Sequence, residues 1–184
     1  SSVLGVIGVG VIGRACLQGL MCVLPNIKTV KVYDLDQKAA QDTCGQVEKD
    51  YPGVRAVAVP SVEEAVRDSD VVNVATSGAV SPEIKEEWLK EGVLLTLPAS
   101  AALTKHVMQT STILVDDWKM YEAYAQELRD EPGGFAANLS GICGYMMDLE
   151  RDGEIRREDI VDLGDVVMGK RPGRTSDQER IIFI

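Results

Sequence analysis

A glycine-rich turn near the start of the chain constrains the fold more than any other feature. Gly8, Gly10 and Gly13 follow the apolar run Val3–Ile7 and precede a helix-like segment. The residues at helical spacing in that segment, which we expect on its inward face, are Ile12, Ala15, Cys16, Gly19, Leu20 and Val23. The next strand-like run ends in an acidic residue, Asp34. Glycines in this spacing are weak evidence alone. In the order strand, turn, helix, strand and acid they predict a unit that binds a dinucleotide.

Each glycine of this turn has a separate expected role. Gly8 permits the tight turn, Gly10 lets the backbone approach a pyrophosphate, and Gly13 lets the helix lie close to the sheet. The start of the helix offers backbone N–H groups and positive dipole charge to the phosphates. The expected amide donors are those of Val11 and Ile12, and Val9 is a further expected cofactor-binding residue. The alternative interpretation is an ordinary strand–turn–helix with turn glycines.

The residues after the second strand bear on the choice of cofactor. Asp34 can accept hydrogen bonds from the hydroxyl groups of a ribose, whereas its charge would repel a 2′-phosphate. Leu35, which follows it in the expected binding loop, supplies no cation, and the nearest one is Lys38. The sequence therefore favours NAD over NADP.

Charge and composition exclude several classes of protein. The 184 residues include 19 basic and 29 acidic ones, for a net charge of −10, which argues against a nucleic-acid partner. We expect no membrane partner, because no run approaches the roughly 20 apolar residues of a membrane span. No signal peptide is visible. The size suits one domain.

The cysteines and the histidine give no sign of a metal site. None of the four cysteines forms a close pair with metal-ligand spacing, and His106 is the only histidine. Cys16 and Cys44 fall on the expected buried faces of their helices, which is typical of small apolar residues in a reducing compartment. We therefore expect no metal and a cytoplasmic protein.

Strand-like and helix-like segments alternate along the first two thirds of the chain. This alternation predicts the α/β class, with a doubly wound, mostly parallel sheet of the Rossmann type and extra C-terminal helices. The predicted strands are Val3–Ile7, Thr29–Tyr33, 54–59, 71–75, 93–97 and 113–115. Helices are expected after Gly10, after the N-cap Asp36, after the capping box at Ser61 and from Ser81. Later helices are predicted over about 118–129, 139–151 and 159–168.

Ligands of open parallel sheets bind beyond the carboxyl ends of the strands. This rule brings residues 8–13, 34–36 and 75–78 around one crevice. In the last of these loops, Ala75, Thr76 and Ser77 can offer hydroxyl or amide groups to ribose or phosphate, although a plain turn is an equal alternative. The segment from Leu97 to Ser100 follows the fifth strand and should approach the nicotinamide end. Ser100 and Lys105 are catalytic candidates by position only.

The apolar run at 181–184 is expected to form a further strand that pairs with another segment, and it hints at self-association. Because the first strand also starts almost at once, we interpret residues 1–184 as a single dinucleotide-binding domain from a longer, two-domain protein.

Three stretches resemble the ornithine cyclodeaminase/mu-crystallin family. They are the glycine turn, residues 32–36, and the tail at 160–179, where Gly-Lys-Arg-Pro-Gly-Arg-Thr-Ser is the discriminating part. The resemblance implies an NAD-dependent oxidoreductase or deaminase that acts on a small amino or imino acid, and a homodimer in the full-length protein. In such enzymes, an amino acid gives a hydride from its α-carbon to the nicotinamide and becomes an imine. Cyclisation with loss of ammonia or hydrolysis follows, and other members reduce a ketimine.

Two departures from the family pattern bear on activity. Ser100 stands where the cyclodeaminases carry an aspartate that acts on the substrate, which puts ornithine cyclodeamination in doubt. The flanking segments that build the family's substrate domain are not in this chain. A non-catalytic binder of the mu-crystallin type, a ketimine reductase and an amino-acid dehydrogenase therefore remain alternatives. An unrelated hydroxy-acid dehydrogenase would need His106 as its acid or base.

Overall fold

The structure, a computed structural model, describes residues 2–78, 80–128 and 141–184. Among these residues, eight strands form one sheet in the order β3-β2-β1-β4-β5-β8-β6-β7, and every pair is parallel. The strands are β1 Val3–Ile7, β2 Thr29–Tyr33, β3 Arg55–Ala58, β4 Val71–Val74, β5 Leu94–Thr96, β6 Thr112–Val115, β7 Ile160–Asp162 and β8 Ile181–Phe183. The predicted α/β class with a doubly wound parallel sheet is confirmed.

Helices connect most of these strands. They are α1 Val11–Val23, α2 Gln37–Asp50, α3 Val62–Val66, α4 Lys105–Gln109, α5 Trp118–Glu127, α6 Ile142–Arg151 and α7 Leu163–Val167. Two of the predicted caps are confirmed. The Asp36 side chain accepts hydrogen bonds from the amides of Lys38 and Ala39, and the Ser61 side chain accepts one from the amide of Glu64. No helix among the described residues is long and apolar enough to cross a membrane.

The helix predicted from Ser81 is wrong. This segment instead forms a parallel bridge between Glu83 and Ala102, followed by a single 3-10 turn at Glu86–Trp88. The amide of Ile84 donates to the carbonyl of Ala102, and the amide of Ala102 donates to that of Pro82. Because these backbone groups bond to a distant segment, they are not available for a helical ladder.

The predicted inward face of α1 is also wrong. The expected inward residues included Ile12, Cys16 and Val23, but the buried ones are Gly13, Leu17 and Met21. A Cβ atom at Gly13 would lie 2.0 Å from the Gly8 carbonyl oxygen, so α1 turns its glycine toward the sheet. That close approach sets the rotation of α1, and an apolar row is left at its surface.

The predicted helix at 159–168 is only partly right. A 3-10 turn at Arg157–Asp159 and strand β7 occupy its first part, and α7 occupies the rest. Ile160 and Val161 are buried because β7 pairs with β6. The predicted helices at 118–129 and 139–151 correspond to α5 and α6. Residues 129–140, including the expected break at Pro132, lie outside the described residues.

The apolar run at 181–184 forms β8, as the prediction of a further strand requires. β8 lies between β5 and β6, and Ile181 and Ile182 are buried there. The expected self-association through this run is therefore wrong, because its partners are strands of the same chain.

The two faces of the sheet carry separate cores. We call the side on which α1 and α2 pack the first face, where Leu4, Val6, Val30 and Val32 are buried. The second face is the opposite side, where α5 and α6 pack. Its buried sheet residues include Ile7, Val74, Leu95, Ile113 and Ile182.

Candidate functional site

The turn between β1 and α1 is held by close contacts of two glycines. Gly8 has a φ of +89°, a conformation that side chains disfavour, and a Cβ there would lie 2.6 Å from the carbonyl oxygen of Ala75. At Gly13, the Cβ would collide with the carbonyl oxygen of Gly8. Protein atoms alone therefore explain both glycines, as predicted for the turn and for helix–sheet packing.

Gly10 differs from the other two glycines because no protein atom accounts for it. A Cβ there would meet nothing within 4 Å, and its φ of −63° is open to any residue. Gly10 is the N-cap of α1, no side chain caps this helix end, and its first turn contains no acid. The amides of the first turn therefore face open space at the positive end of a 13-residue helix. This arrangement fits a phosphate group.

Asp34 is fixed beside the turn by two backbone donors. Its Oδ2 accepts a hydrogen bond from the Val9 amide at 2.8 Å, and its Oδ1 accepts one from the Asp36 amide at 2.9 Å. The amide of Val9, a residue predicted to bind the cofactor, thus already donates to a side chain of the protein. Because a carboxylate oxygen has more than one lone pair, Asp34 can still accept hydrogen bonds from the hydroxyl groups of a ribose.

The residues that follow Asp34 include an exposed apolar side chain, that of Leu35, and a lysine that is already paired, Lys38. Leu35 is 88% exposed. Lys38, the nearest cation in the sequence, forms an ion pair with Asp42 at 2.6 Å. The preference for an unphosphorylated ribose at Asp34 stays a prediction.

The loop after β4 meets the glycine turn. The Ala75 amide donates to the Ile7 carbonyl at 2.8 Å, and Thr76 and the Ala75 carbonyl pack against Gly8. Ser77 is exposed at the rim. The three loops predicted to surround one crevice, residues 8–13, 34–36 and 75–78, therefore lie together in the structure.

Two other predicted site residues are used differently. Leu97 is 6% exposed, and its side chain belongs to the core of the second face. The Ser100 hydroxyl accepts a hydrogen bond from the Ile142 amide at 2.8 Å and so caps the start of α6. Gly141 has a φ of +81°, and a Cβ there would clash with Ser100. This contact between the β5 loop and α6 was not predicted, because Gly141 lay inside the helix predicted over about 139–151.

The remaining candidates lie on the surface and are paired with acids. His106 is 68% exposed, and its Nε2 lies 3.7 Å from Oε1 of Glu86. Lys105 Nζ lies 3.0 Å from Oε1 of Glu154. In residues 2–78, 80–128 and 141–184, no three metal-ligating side chains cluster as a metal site would require.

A cleft of about 390 Å³ lies at the outer edge of the sheet, beside β7 and α7. Arg157 lines this cleft. Its guanidinium pairs with Asp162 at 2.6 Å, and the guanidinium carbon lies 5.0 Å from the centroid of the Trp118 ring. Both groups of the pair are thus already engaged within the protein. None of the residues that line this cleft belongs to the predicted crevice.

Comparisons with known proteins agree with this geometry. Alanine dehydrogenase of Archaeoglobus fulgidus is 31% identical over 189 residues, which cover 100% of this chain and 51% of the relative. The structure of an archaeal alanine dehydrogenase dimer with bound NAD is 29% identical and superposes with a TM-score of 0.72, covering 100% of this chain and 51% of that one. The structure of Thermococcus litoralis Δ1-pyrroline-2-carboxylate reductase with NADH and L-proline is 26% identical and has a TM-score of 0.71, covering 100% and 52%.

The chain spans about half the length of the curated relatives that it matches. The family model described as ornithine cyclodeaminase/mu-crystallin family matches residues 1–184, which include the glycine turn, Asp34 and the tail that carries the resemblance. The chain therefore belongs to the ornithine cyclodeaminase/mu-crystallin family.

Proposed function

We propose that this chain is the NAD-binding domain of an oxidoreductase or deaminase that acts on an amino or imino acid. One observation carries the proposal: the space in front of Gly10 is open, although the neighbouring glycines are packed tightly. A bare position at an uncapped helix start is what a pyrophosphate requires. The bound cofactor supplies a nicotinamide ring that accepts or returns a hydride.

Different residues at the glycine turn bind different parts of the cofactor. The amides of Gly10, Val11, Ile12 and Gly13 bind the phosphates, and Asp34 binds the adenosine ribose. Its carboxylate selects NAD, because a 2′-phosphate next to it would meet a negative charge and the nearest lysine is paired with Asp42.

Flanking residues complete the cofactor site. Leu35 covers the adenine end with its exposed side chain, while Ala75, Thr76 and Ser77 line the opposite wall. Leu97 supports the nicotinamide end from the core. Ser100 orders that end by joining its loop to α6, so it is a positioning residue.

The activities named for the relatives support the proposed substrate class. They include an alanine dehydrogenase and a pyrroline-2-carboxylate reductase in complex with L-proline, and these proteins are about twice as long as this chain. We infer that the intact protein carries a second domain that supplies the substrate pocket, and that it forms a homodimer like the archaeal structure.

A non-catalytic dinucleotide binder of the mu-crystallin type is the second candidate. Ser100 favours it, because its hydroxyl already accepts the Ile142 amide and a serine cannot act as a carboxylate base at neutral pH. The same observation weighs against ornithine cyclodeamination within the enzyme hypothesis. Amino-acid oxidation and ketimine reduction are compatible with Ser100 in its positioning role.

A binding titration tests the cofactor proposal. We expect NAD to raise the melting temperature more than NADP does, and Gly10→Val to weaken NAD binding at least tenfold while the protein stays folded. Gly45→Val is the matched control, since Gly45 is also exposed with nothing within 4 Å of its Cβ position but lies on α2, away from the turn. Unchanged NAD affinity in Gly10→Val would refute the proposed site.

Turnover separates the enzyme from the binder. The intact protein is incubated with NAD and a panel of amino acids, and with NADH and cyclic imines, while the absorbance of reduced nicotinamide is followed. A change in absorbance with any substrate supports the oxidoreductase. NAD binding without turnover in either direction supports the binder instead.

A further inference from the structure

The tail that carries the family resemblance lies at the edge of the sheet opposite the glycine turn. Residues 168–180 connect α7 to β8, and the Gly92 amide donates to the carbonyl of Gln178 at 3.1 Å. Gly92 precedes β5, whereas the glycine turn follows β1, and the two strands run in the same direction. The tail therefore packs at the amino ends of the strands, and the proposed cofactor site lies at their carboxyl ends.

The carboxylate of Glu179 joins this tail to the start of β6. Its Oε1 accepts a hydrogen bond from the Thr112 hydroxyl, and its Oε2 accepts hydrogen bonds from the amide and the hydroxyl of Thr175. Partial burial opposes ionisation, but these donors outweigh it and hold the pKa of Glu179 below its usual range. An ionised carboxylate only accepts hydrogen bonds, so it suits a position where its neighbours donate.

Two further contacts hold the tail in place. The Arg174 guanidinium donates to the backbone carbonyl of Glu179 at 2.6 Å, so this cation closes the tail on itself. Gly92 has a φ of +70°, and a Cβ there would lie 2.0 Å from the carbonyl oxygen of Asp177. The residue before β5 thus has no side chain at the point where the tail crosses it.

The sequence of β8 does not select its own register. The register of a strand is normally specified by its pattern of apolar and polar residues. Residues 181–184 are all apolar, so a shift of β8 by one residue toward Ile184 would again place apolar side chains on both faces. β8 has only three residues, and Ile182 pairs with Leu95 on one side and with Ile113 on the other. Contacts outside the strand are therefore needed to select this pairing.

The far end of β8 contacts the segment that follows β5. The Leu97 amide donates to the carbonyl of Phe183 at 2.9 Å, and the Ile184 amide donates to the carbonyl of Leu114 at 2.9 Å. Leu97 begins the segment proposed to lie at the nicotinamide end. The register of β8 thus determines which backbone group Leu97 meets.

We propose that residues 174–179, which we call the clasp, hold β8 in its register between β5 and β6 and thereby position the segment from Leu97 to Ser100. The clasp supplies what the apolar run lacks, since Glu179 and Gly92 connect it to both neighbouring strands immediately before β8 begins. The consequence for the nicotinamide end rests on the proposed function. Glu179 is in this sense a positioning residue.

Hydrogen–deuterium exchange, followed by NMR on the intact protein, tests the clasp. In Glu179→Ala, we expect the amides of Leu97, Ile181 and Ile184 to exchange at least tenfold faster than in the natural protein. The amides of β1 and β2 should change less than threefold. Glu179→Gln should have a smaller effect than Glu179→Ala, because its side-chain carbonyl can still accept from Thr175.

The matched control is Asp177→Asn, which removes an exposed charge from the same tail and should leave exchange unchanged. Equal acceleration in all strands of Glu179→Ala would show a general loss of stability and overturn the proposal. Unchanged exchange at Leu97, Ile181 and Ile184 would overturn it as well.

A pair of glycines provides an independent readout. Gly92→Ala should accelerate the same three amides at least tenfold, because the added Cβ would displace the tail at Asp177. Gly153 is the matched control, since its φ is +73° but a Cβ there would meet nothing within 4 Å. Gly153→Ala therefore carries the same backbone strain without the clash. Equal effects of the two variants on β8 would contradict the proposal.

The affinity for NAD separates this inference from the proposed function. Gly10 and Asp34 lie at the other edge of the sheet, so we expect the affinity to change less than threefold in the clasp variants. NAD binding together with unchanged exchange would overturn the clasp alone. Faster exchange at β8 in a protein that does not bind NAD would support the clasp and overturn the cofactor site.

Discussion

The inner half of the sheet consists of β3, β2, β1 and β4, and the outer half consists of β5, β8, β6 and β7. The two halves differ in the contacts that hold them together. Over β3, β2, β1 and β4, helices cover both faces, and local contacts explain the glycine turn. Over β5, β8, β6 and β7, the second face is buried under α5 and α6, while the first face carries both buried and half-buried side chains; Ile181 and Val161 are buried there, and Phe183 and Leu114 are half-buried. The inner half thus contains the residues of the proposed cofactor site. The outer half depends on contacts between segments that are distant in sequence, such as the hydrogen bond from the Ile142 amide to Ser100.

The largest expected loss of unfolding free energy concerns the glycine turn of the inner half. Gly13→Val should destabilise the protein by about 3 kcal/mol, since the added Cβ would clash with the Gly8 backbone carbonyl rather than with a flexible side chain. Urea denaturation measures the loss. Gly10→Val is the matched variant, and it should lose much less stability because its Cβ enters open space. Equal losses would remove the distinction between packing glycines and a ligand-binding glycine.

The second prediction compares how much the residues on the two faces of β8 contribute to the unfolding free energy. Ile182→Ala should cost about 3 kcal/mol of unfolding free energy, because Ile182 is fully buried on the second face. Phe183, its neighbour on the first face, is half-buried in this chain. Phe183→Ala should cost less than Ile182→Ala, because the Phe183 side chain already keeps part of its contact with solvent in the folded protein. Equal costs for the two variants would contradict this difference between the faces.

A smaller effect is expected for the carboxylate beside the turn. Asp34→Ala should weaken NAD binding about tenfold and narrow the difference between NAD and NADP, since it removes both the ribose acceptor and the repelling charge. Calorimetric titration with both cofactors measures this. Asp42→Ala also removes one carboxylate and serves as the control, because it breaks only the exposed pair with Lys38. A loss of NAD affinity in Asp42→Ala equal to that in Asp34→Ala would contradict the assignment.

The smallest effect concerns Asp70, which joins the two halves. Its carboxylate accepts hydrogen bonds from the amides of Ser2 and Val3 and from Lys90. Partial burial opposes ionisation, but the Lys90 and amide donors outweigh it and hold the pKa of Asp70 well below its usual range. A lowered pKa contributes stability above the unfolded value, about 3.9, and this contribution is lost as the pH falls below that value.

We therefore expect the melting temperature to fall between about pH 4 and about pH 2, and to fall less steeply in Asp70→Asn. The slope should be reduced rather than abolished, since hydrogen bonds to Asp162 and Glu179 also outweigh burial and lower the pKa of these carboxyls. Identical slopes in the variant and the natural protein would show that Asp70 does not couple the halves.

The inner half was largely predictable from the sequence because its signals are local. The order of strand, turn and helix, the N-cap Asp36 and the acid Asp34 each act within a few residues of their position. The roles proposed for these residues in cofactor binding remain predictions. The rotation of α1 was not predictable from apolar periodicity alone, because a contact between Gly13 and Gly8 decides it.

The outer half was less predictable because its contacts are distant in sequence. Ile84 pairs with Ala102 instead of joining a helix, and β7 forms where Ile160 finds β6 as a partner. The capping of α6 by Ser100 links residues 42 positions apart. None of these partners can be read from a local pattern, whereas the apolar run at 181–184 did indicate a strand.

The position of β8 affects how the chain assembles. β8 is the last strand along the chain, yet it separates β5 from β6, which are joined by the short helix α4. As the chain leaves the ribosome, β5 and β6 are complete long before the strand that belongs between them. The outer half can therefore close only after Ile181–Phe183 has been synthesised, and long-range pairing of this kind slows folding. A chaperone that shields the edges of β5 and β6 during this interval should raise the yield of folded protein.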